Sequence, residues 1–315
     1  MILVMWYPFR IFTIFLPLKL IYKIGIVGGH LLYFISREKS KIMAEELGLI
    51  LPDKRDDEIK EIIKSSFINY SVSEIEVLLY PLMNREFIRK MITIEGREHL
   101  DDALANKKGV LLFQAHFGAF QMVMPAIGYS GYKMNQISAS ASVWKEESQS
   151  QLQKKSFDIK ASYEYKLPVK HISVKTNLKA VFSALKRNEI VGITADGGGG
   201  KKIVPIKFLG RNANFQRGSV DIAIRTDALI IPVFILTLKN FEHRLIIHPA
   251  IKANSSRQKE ENIIHILQSY AKLLEQYISQ FPSHYGYTLY LRKSRAHKDP
   301  YLFFEDYLAS QTLSN

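Results

Sequence analysis

A chain of 315 residues, 47% of them hydrophobic and 23% charged, is long enough to bury a large core and too apolar to be disordered as a whole. It has no cysteine, which excludes a disulfide scaffold, a thiolate zinc site and a cysteine nucleophile. The 43 lysines and arginines outnumber the 30 aspartates and glutamates, and the net charge of +13 favours an anionic partner. That partner could be a membrane phospholipid, a phosphorylated substrate, an acidic carrier protein or a nucleic acid.

The first 35 residues are apolar and aromatic, but Arg10, Lys19 and Lys23 interrupt them. The longest uncharged stretch, 24–36, has thirteen residues, whereas a helix needs about 20 to span a bilayer. A lysine held at the bilayer centre costs roughly 3 kcal/mol, while a lysine in an interfacial helix can reach the lipid phosphates. We therefore predict that residues 1–40 form a helical segment that lies on a membrane. A buried first helix of a soluble domain is the alternative.

From residue 41 onward, hydrophobic residues alternate between helical and strand spacing, and no repeat or low-complexity linker divides the chain. We predict a single α/β domain over 41–315, with a mixed sheet flanked by helices on both sides. The predicted strands are 91–95, 109–115, 134–139, 190–195, 203–209, 229–236 and 243–251. The predicted helices are 56–80, 98–106, 120–127, 144–157, one beginning at 174, 219–226 and a last long one through 263–281.

The stretch VLLFQAHFGAFQ, residues 110–121, organises the rest of the chain. It is an apolar run of strand type that stops at His116 and turns through Phe117 and Gly118. A glycine just past an imidazole lets backbone approach a ligand closely. The spacing places His116 at the carboxyl end of a strand, where open α/β sheets have their sites. The alternative is that His116 begins a helix and satisfies local backbone donors.

A second candidate feature is the end of the predicted strand 190–195, where Asp196 precedes a run of glycines. Successive glycine N–H groups can point at an anion, and nearby basic side chains add positive charge. The loop FLGRNANFQRG supplies two arginines. The residues that could bind an anion here are Gly197, Gly198, Lys201, Lys202, Arg211 and Arg217. A flexible polar turn between two strands is the alternative.

Several reaction classes are excluded by missing motifs. The chain has no Gly-x-Ser-x-Gly elbow, no His-Glu-x-x-His and no Walker sequence. The other eight histidines are scattered without metal-ligand spacing, so we predict no metal site and no cofactor. A nucleic-acid-binding protein would be suggested by the charge alone, but no helix-turn-helix, aromatic sheet signature or basic cluster accompanies it. Membrane association explains the same charge.

The order and spacing of HFGAFQ, ADGGGG and VPIKFLGRNANFQRGSVDIAIRTDALIIPVF resemble the lipid A late acyltransferases, the lauroyl and myristoyl transferases of the lysophospholipid acyltransferase superfamily. The similarity extends over nearly the whole chain, including the apolar amino end and the closing YGYTLYLRKSR. The resemblance implies transfer of a fatty acyl group from a thioester, on acyl carrier protein or coenzyme A, to a hydroxyl or amine of a membrane lipid. It also implies the cytoplasmic face of a bacterial inner membrane.

The family motif is a histidine, four residues, and then Asp or Glu, but this chain has Gln121 in the acidic position. In the family's mechanism the histidine removes a proton from the acceptor, and the carboxylate fixes its tautomer and stabilises the imidazolium. A glutamine can accept the ring N–H but brings no charge. In the serine-protease triad, replacing the acid by its amide lowers turnover by about 10⁴.

Three outcomes follow from Gln121. Asp196 supplies the missing carboxylate, which is the outcome we predict; the enzyme works more slowly with Gln121; or catalysis is lost and lipid or partner binding is kept. By resemblance His116 is the catalytic base and Gln121 takes the position of the motif acid. We predict Asp196 as the third catalytic residue, because it lies at a neighbouring strand end in a glycine-rich loop. The predicted substrate-binding residues are Gly118, Gly197, Gly198, Lys201, Arg211 and Arg217. Arginines bind phosphate of the acceptor or of phosphopantetheine, and a backbone N–H near Gly118, or a basic side chain, holds the oxyanion.

Overall fold

The computed structural model of the protein describes residues 9–13, 15–138, 150–173, 178–197, 202–238, 240–253, 257–298 and 302–307. The strands are β1 (Ile92–Glu95), β2 (Val110–Gln114), β3 (Met134–Ser138), β4 (Val169–Ser173), β5 (Ile190–Thr194), β6 (Ile203–Phe208), β7 (Arg211–Gln216), β8 (Leu229–Thr237) and β9 (His243–Ile247). The longer helices are α1 (Leu18–Ile35), α2 (Arg37–Ile50), α3 (Asp56–Leu78), α4 (Arg85–Met91), α5 (Arg97–Ala105), α6 (Val123–Tyr129), α7 (Gln151–Glu164), α8 (Lys179–Lys186), α9 (Gly218–Thr226), α10 (Lys259–Gln280) and α11 (Gly286–Arg295).

Seven of these strands form one sheet in the order β1-β9-β8-β2-β5-β3-β4. Every neighbouring pair is parallel except β8 and β9, so the sheet is mixed. Strand β2 lies at its centre, between β8 and β5, and all five of its residues are buried. A strand covered on both faces is expected to be a continuous apolar run, which accounts for the sequence VLLFQ.

Alternate residues of β2 face two different hydrophobic cores. Leu111 and Phe113 belong to the core that includes α10, whereas Val110 and Leu112 belong to the core that includes α1 and α6. Successive side chains of a strand point to opposite faces, so helices cover both sides of the sheet. The predicted α/β fold, a mixed sheet flanked by helices with an apolar amino-terminal helix, is confirmed.

The amino-terminal helix α1 packs closely along α3 through small residues. A Cβ added at Gly29 would lie 2.5 Å from the Cα of Ile68. The exposed part of the helix carries large apolar side chains, namely Leu20, Val27, Leu31, Phe34 and Ile35. By length and composition α1 could cross a membrane, and 28% of it is buried inside the protein. The predicted domain boundary at residue 40 stays a prediction.

Strands β6 and β7 form an antiparallel hairpin outside the main sheet. The loop predicted for FLGRNANFQRG is therefore wrong, because most of that segment is β7. Leu209 and Gly210 connect the strands with φ values of 53° and 74°, the positive backbone angles of a two-residue hairpin turn that matches strand twist. Leucine rarely adopts the positive φ that Leu209 has here, so the residue types did not indicate this turn.

Three further differences concern one strand at the edge of the sheet and the starts of two helices. No strand is predicted from the sequence at 169–173, where β4 pairs with β3. The helix predicted at 144–157 corresponds to α7, which begins at Gln151. The helix predicted from 174 corresponds to α8, and residues 139–149 and 174–177 lie outside the described residues.

Candidate active site

His116 and Asp196 follow two neighbouring parallel strands. Strands β2 and β5 pair with Gln114 opposite Thr194, and the N–H of Ala195 donates to the carbonyl of Gln114 at 2.8 Å. Parallel neighbours leave a sheet at the same edge, so the residues two positions further along emerge side by side. Residues 80 apart in the sequence therefore meet at the carboxyl edge of the sheet.

The imidazole and backbone of His116 both contact the Asp196 carboxylate. Ring Nδ1 lies 3.1 Å from Oδ1, and the backbone N–H of His116 donates to Oδ1 at 3.1 Å and to Oδ2 at 3.2 Å. An ionised carboxylate can only accept, so Nδ1 carries the proton and Nε2 has a free lone pair. The His116 side chain is 41% exposed, and no hydrogen-bond partner of Nε2 occurs among the described residues. The geometry fits a general base whose tautomer is fixed by the Asp196 carboxylate at Nδ1.

Asp196 is completely buried and has three side-chain partners. Besides His116, Oδ2 accepts from the Tyr285 hydroxyl at 2.9 Å and from Nη2 of Arg292 at 3.1 Å. Burial by itself raises the pKa of this carboxyl, but the charge and hydrogen bonding of His116, together with Arg292 and Tyr285, hold the pKa well below its usual range. The carboxylate is therefore ionised and fully hydrogen-bonded.

Three polar residues near the carboxyl end of the chain complete the site and were missed by the sequence reasoning. Tyr285 and Arg292 hold Asp196, and the Thr288 hydroxyl donates to the carbonyl of His116 at 2.7 Å. Thr288 and Arg292 lie on α11, and Tyr285 directly precedes it. Their spacing, i, i+3 and i+7, is that of one helix face, and this was the signal in YGYTLYLRKSR that could have identified them.

Gln121 points away from the imidazole. Its side-chain nitrogen donates to the Ser73 hydroxyl at 3.3 Å and to the Glu74 carboxylate at 3.5 Å, both on α3. Its backbone carbonyl accepts from the Tyr80 hydroxyl at 2.7 Å. Among the described residues it makes no contact with His116, so its predicted place behind the imidazole is not the one it occupies. A catalytic role for Gln121 stays a prediction.

Gly118 has a structural explanation. Its φ is +58°, and a Cβ added there would lie 2.0 Å from the carbonyl oxygen of Ile235. Its N–H donates to the carbonyl of His284 at 3.0 Å. The oxyanion donor predicted near this position is therefore not the Gly118 N–H, which is already used within the protein.

Arg211 is paired with two carboxylates. It donates to Glu46 at 2.7 Å and, through two nitrogens, to Asp306 at 2.6 and 2.8 Å. Its guanidinium also stacks on Phe304, 3.8 Å from the ring centre, and the side chain is 10% exposed. A phosphate would have to displace these carboxylates, so this arginine is placed as a structural residue, and its predicted phosphate binding stays a prediction.

Two of the remaining predicted anion ligands have partners within the protein. Arg217 donates to Asp221 at 3.0 Å and to Glu260 at 2.7 Å. The N–H of Gly197 donates to the carbonyl of Thr194 at 3.4 Å. Gly198 and Lys201 lie outside the described residues, and Lys202 is exposed. Among the described residues, no three His, Asp or Glu side chains are placed to hold a metal ion.

Known proteins similar to this chain agree with the motifs. A lipid A biosynthesis lauroyltransferase of Escherichia coli (strain K12) is 27% identical over 125 residues, which cover 38% of this chain and 41% of that protein. Among solved structures, the 1-acyl-sn-glycerophosphate (LPA) acyltransferase PlsC from Thermotoga maritima matches 82% of this chain and 97% of that chain, with 14% identity and a TM-score of 0.37. A TM-score that low supports no conclusion.

The family-level match is far more extensive. The family model for bacterial lipid A biosynthesis acyltransferases matches residues 3–293, which include His116, Asp196 and all of the residues that hold them. This match spans the apolar amino-terminal helix as well as the sheet and its carboxyl edge. The chain therefore belongs to the bacterial lipid A biosynthesis acyltransferase family, which confirms the family of acyltransferases predicted from its motifs.

Proposed function

We propose that the protein transfers a fatty acyl group from an acyl thioester, on acyl carrier protein or coenzyme A, to a hydroxyl or amine of a lipid A-type or other anionic membrane lipid. His116 is the general base, and Asp196 is its carboxylate partner. The contact of 3.1 Å between Nδ1 and Oδ1 carries the proposal, because it leaves Nε2 of a partly exposed imidazole with a free lone pair.

The reaction needs one proton shuttle and no redox step. Nε2 of His116 takes the proton from the acceptor as its oxygen or nitrogen attacks the thioester carbon. Asp196 stabilises the imidazolium that forms. The tetrahedral intermediate then collapses, the carbon–sulfur bond breaks, and the imidazolium returns its proton to the departing thiolate. Because the Gly118 N–H is occupied, the oxyanion requires a different donor.

A membrane surface is the proposed location, on the cytoplasmic face of a bacterial inner membrane. The net charge of +13 and the exposed apolar side chains of α1 support it, because a basic apolar surface binds anionic lipid headgroups. The same positive charge favours binding of the acyl donor through an acidic carrier protein or through the phosphates of coenzyme A. Neither a metal nor a cofactor enters the proposed reaction.

Lipid mass spectrometry of cells with and without the protein tests the proposal. We expect one lipid to lose one acyl chain when the protein is absent, which would name both acceptor and chain length. Wild-type protein should restore that chain, and the His116→Ala variant should not. An unchanged lipid profile, or full restoration by His116→Ala, would contradict the proposal.

A catalytically impaired relative that binds a lipid or a partner protein is the second candidate, and Gln121 in the position of the motif acid favours it. Thiol release from lauroyl-coenzyme A separates the two. The chain has no cysteine, so every thiol detected comes from the donor. Release above that of His116→Ala supports the enzyme, whereas lauroyl-coenzyme A binding without release supports the binding protein.

A further inference from the structure

Two side chains behind Asp196 have no assigned role in acyl transfer. We propose that Arg292 and Tyr285 are positioning residues, which hold the Asp196 carboxylate so that Oδ1 always faces the His116 ring. This inference rests on the proposed function, because it concerns the same pair of residues. It assigns part of the reaction to α11 and the residue before it, away from the strand ends that carry His116 and Asp196.

The backbone N–H of His116 donates to both oxygens of Asp196, but their side-chain partners are separate. Oδ1 faces the ring nitrogen of His116, whereas Oδ2 accepts from the Tyr285 hydroxyl at 2.9 Å and from Arg292 at 3.1 Å. A second hydrogen bond runs from Nη2 of Arg292 to the backbone carbonyl of Asp196. Rotation of the carboxylate about its χ2 angle would break the bonds of both oxygens. Tyr285 and Arg292, together called the clamp, therefore fix the plane of the carboxylate that faces the imidazole.

Arg292 is itself held in place. Its side chain is 9% exposed, and its guanidinium stacks on Phe303 with 3.7 Å to the ring centre. Phe303 packs in turn against Phe208 and Phe215 of the β6–β7 hairpin. A guanidinium fixed by stacking loses little freedom when it donates, so the clamp on Asp196 is preorganised.

The charge of Arg292 matters as much as its geometry. A buried carboxylate without a cation is costly, and it would favour the protonated acid. The charged and titratable groups around Asp196 are His116, Tyr285, Arg292 and the buried Tyr270. Only Arg292 among these is a permanent cation, so it keeps the acid ionised while the imidazole is still neutral and ready to accept a proton.

Turnover of the purified full chain tests the clamp, with lauroyl-coenzyme A as donor and lipid A stripped of its ester-linked chains as acceptor. We expect Tyr285→Phe and Arg292→Gln to lower kcat by about ten- to hundredfold, the effect of one hydrogen bond to a charged group, with KM for the donor unchanged. The acid limb of the pH profile should move to higher pH in Arg292→Gln, and further than in Tyr285→Phe, which removes a hydrogen bond but no charge. Arg292→Lys, which keeps the charge, should leave that limb in place.

Tyr307→Phe is the matched control. It also removes one buried hydrogen bond from a phenol to a carboxylate, that of Tyr307 to Glu46 at 2.8 Å, whereas the side-chain hydrogen bonds of Asp196 come from His116, Tyr285 and Arg292. If Tyr307→Phe and Tyr285→Phe lower kcat equally, or if the acid limb of Arg292→Gln stays in place, the two residues are merely structural. If His116→Ala turns over like the wild type, the proposed function fails instead.

A spectroscopic readout is independent of turnover. In protein labelled with ¹⁵N-histidine, the signal lost in His116→Gln identifies this imidazole. Once the pH is high enough for this imidazole to be neutral, we expect the Nδ1–H tautomer in the wild type and in Tyr307→Phe, and a mixture of tautomers in Tyr285→Phe and Arg292→Gln. An identical His116 signal in all four proteins would overturn the inference even if no donor is turned over.

Discussion

The side-chain nitrogen of Gln121 lies 3.5 Å from a carboxylate oxygen of Glu74. Glu74 is 18% exposed, and Lys160 lies 3.8 Å from the same oxygen. The amide at position 121 is therefore a donor to an acid that is largely buried. In this chain the position that would carry the motif acid is adapted to a neighbouring carboxylate, and His116 has its carboxylate from another strand.

Restoring the motif acid should harm this protein. We expect Gln121→Glu to lower the free energy of unfolding and to leave kcat no higher than that of the wild type, because it brings two carboxylates together. The destabilisation should be greater at pH 8 than at pH 5, where the new acid can be protonated. Denaturant unfolding at the two pH values measures it, with Gln121→Met as the uncharged control. A higher kcat in Gln121→Glu would refute the assignment of Asp196 as partner of His116.

Asp196→Asn should abolish most turnover. An amide at this position can still donate or accept, but it brings no charge to the imidazolium and can favour the wrong tautomer. We expect kcat to fall by about 10³ to 10⁴ with KM for lauroyl-coenzyme A nearly unchanged. Thiol release measures both constants. A rate equal to that of the wild type would show that Asp196 is not the carboxylate of the dyad.

Gly118→Ala should be strongly destabilising. Its Cβ would lie 2.0 Å from the Ile235 carbonyl oxygen, and the backbone is in the left-handed region. We expect a loss of more than about 2 kcal/mol in the free energy of unfolding, from overpacking added to backbone strain. Gly210→Ala separates the two effects, since Gly210 has φ +74° but open space around it, and its cost should be about 1 kcal/mol. Equal losses in both variants would contradict the close contact.

Arg211→Met should cost about 3 to 5 kcal/mol, because it leaves Glu46, whose side chain is 2% exposed, without its cation. Glu46→Met added to it should recover part of the loss. Arg217→Met is the comparison: its partner Glu260 is 67% exposed, and Lys259 still pairs with Asp221, so we expect less than about 1 kcal/mol. Thermal unfolding measures all three. A small loss for Arg211→Met would reopen its role as a phosphate ligand.

Stability should decrease in mild acid because of His284. Burial lowers the pKa of its imidazole to about 4, and its Nε2 accepts from the backbone N–H of Thr237, which requires the neutral ring. Histidine in an unfolded chain titrates near about 6.5. Between these values the unfolded chain binds a proton that the folded protein does not, so the free energy of unfolding falls as the pH decreases from about 6.5 to about 4. His284→Gln keeps an acceptor for Thr237 and should lose this pH dependence. If the free energy of unfolding depends on pH equally in the wild type and in His284→Gln, His284 is not the cause.

The sequence predicted which two strands carry the residues of the site, but not the contact between those residues. The apolar runs before His116 and Asp196 identified β2 and β5, and the rule that parallel strands end at one edge brought the two residues near each other. Their direct contact depends on register, with Gln114 opposite Thr194, and no local pattern in either strand reports it. The suggestion that Asp196 supplies the carboxylate came from the missing acid at position 121, and the structure adds the geometry.

The sequence could not predict the hydrogen-bond and ion-pair partners of each polar group. Arg211 and Gly118 had the right residue types for binding phosphate and an oxyanion, but Glu46, Asp306 and the His284 carbonyl are their partners. Those partners come from distant parts of the chain, so the spacing of residues along the sequence does not predict them. Conversely, the sequence analysis did not single out Arg292 among the basic residues of YGYTLYLRKSR, and its burial against Asp196 is known only from the structure.

If Arg292 and Tyr285 position Asp196 as proposed, the protein becomes active only late in its own synthesis. A chain is made from its amino end, so α1 leaves the ribosome long before Arg292 and Phe303 do. On that proposal, the imidazole of His116 has no fixed tautomer until those residues have been made. A nascent chain whose exposed apolar helix bound a lipid surface would then not yet consume acyl donor.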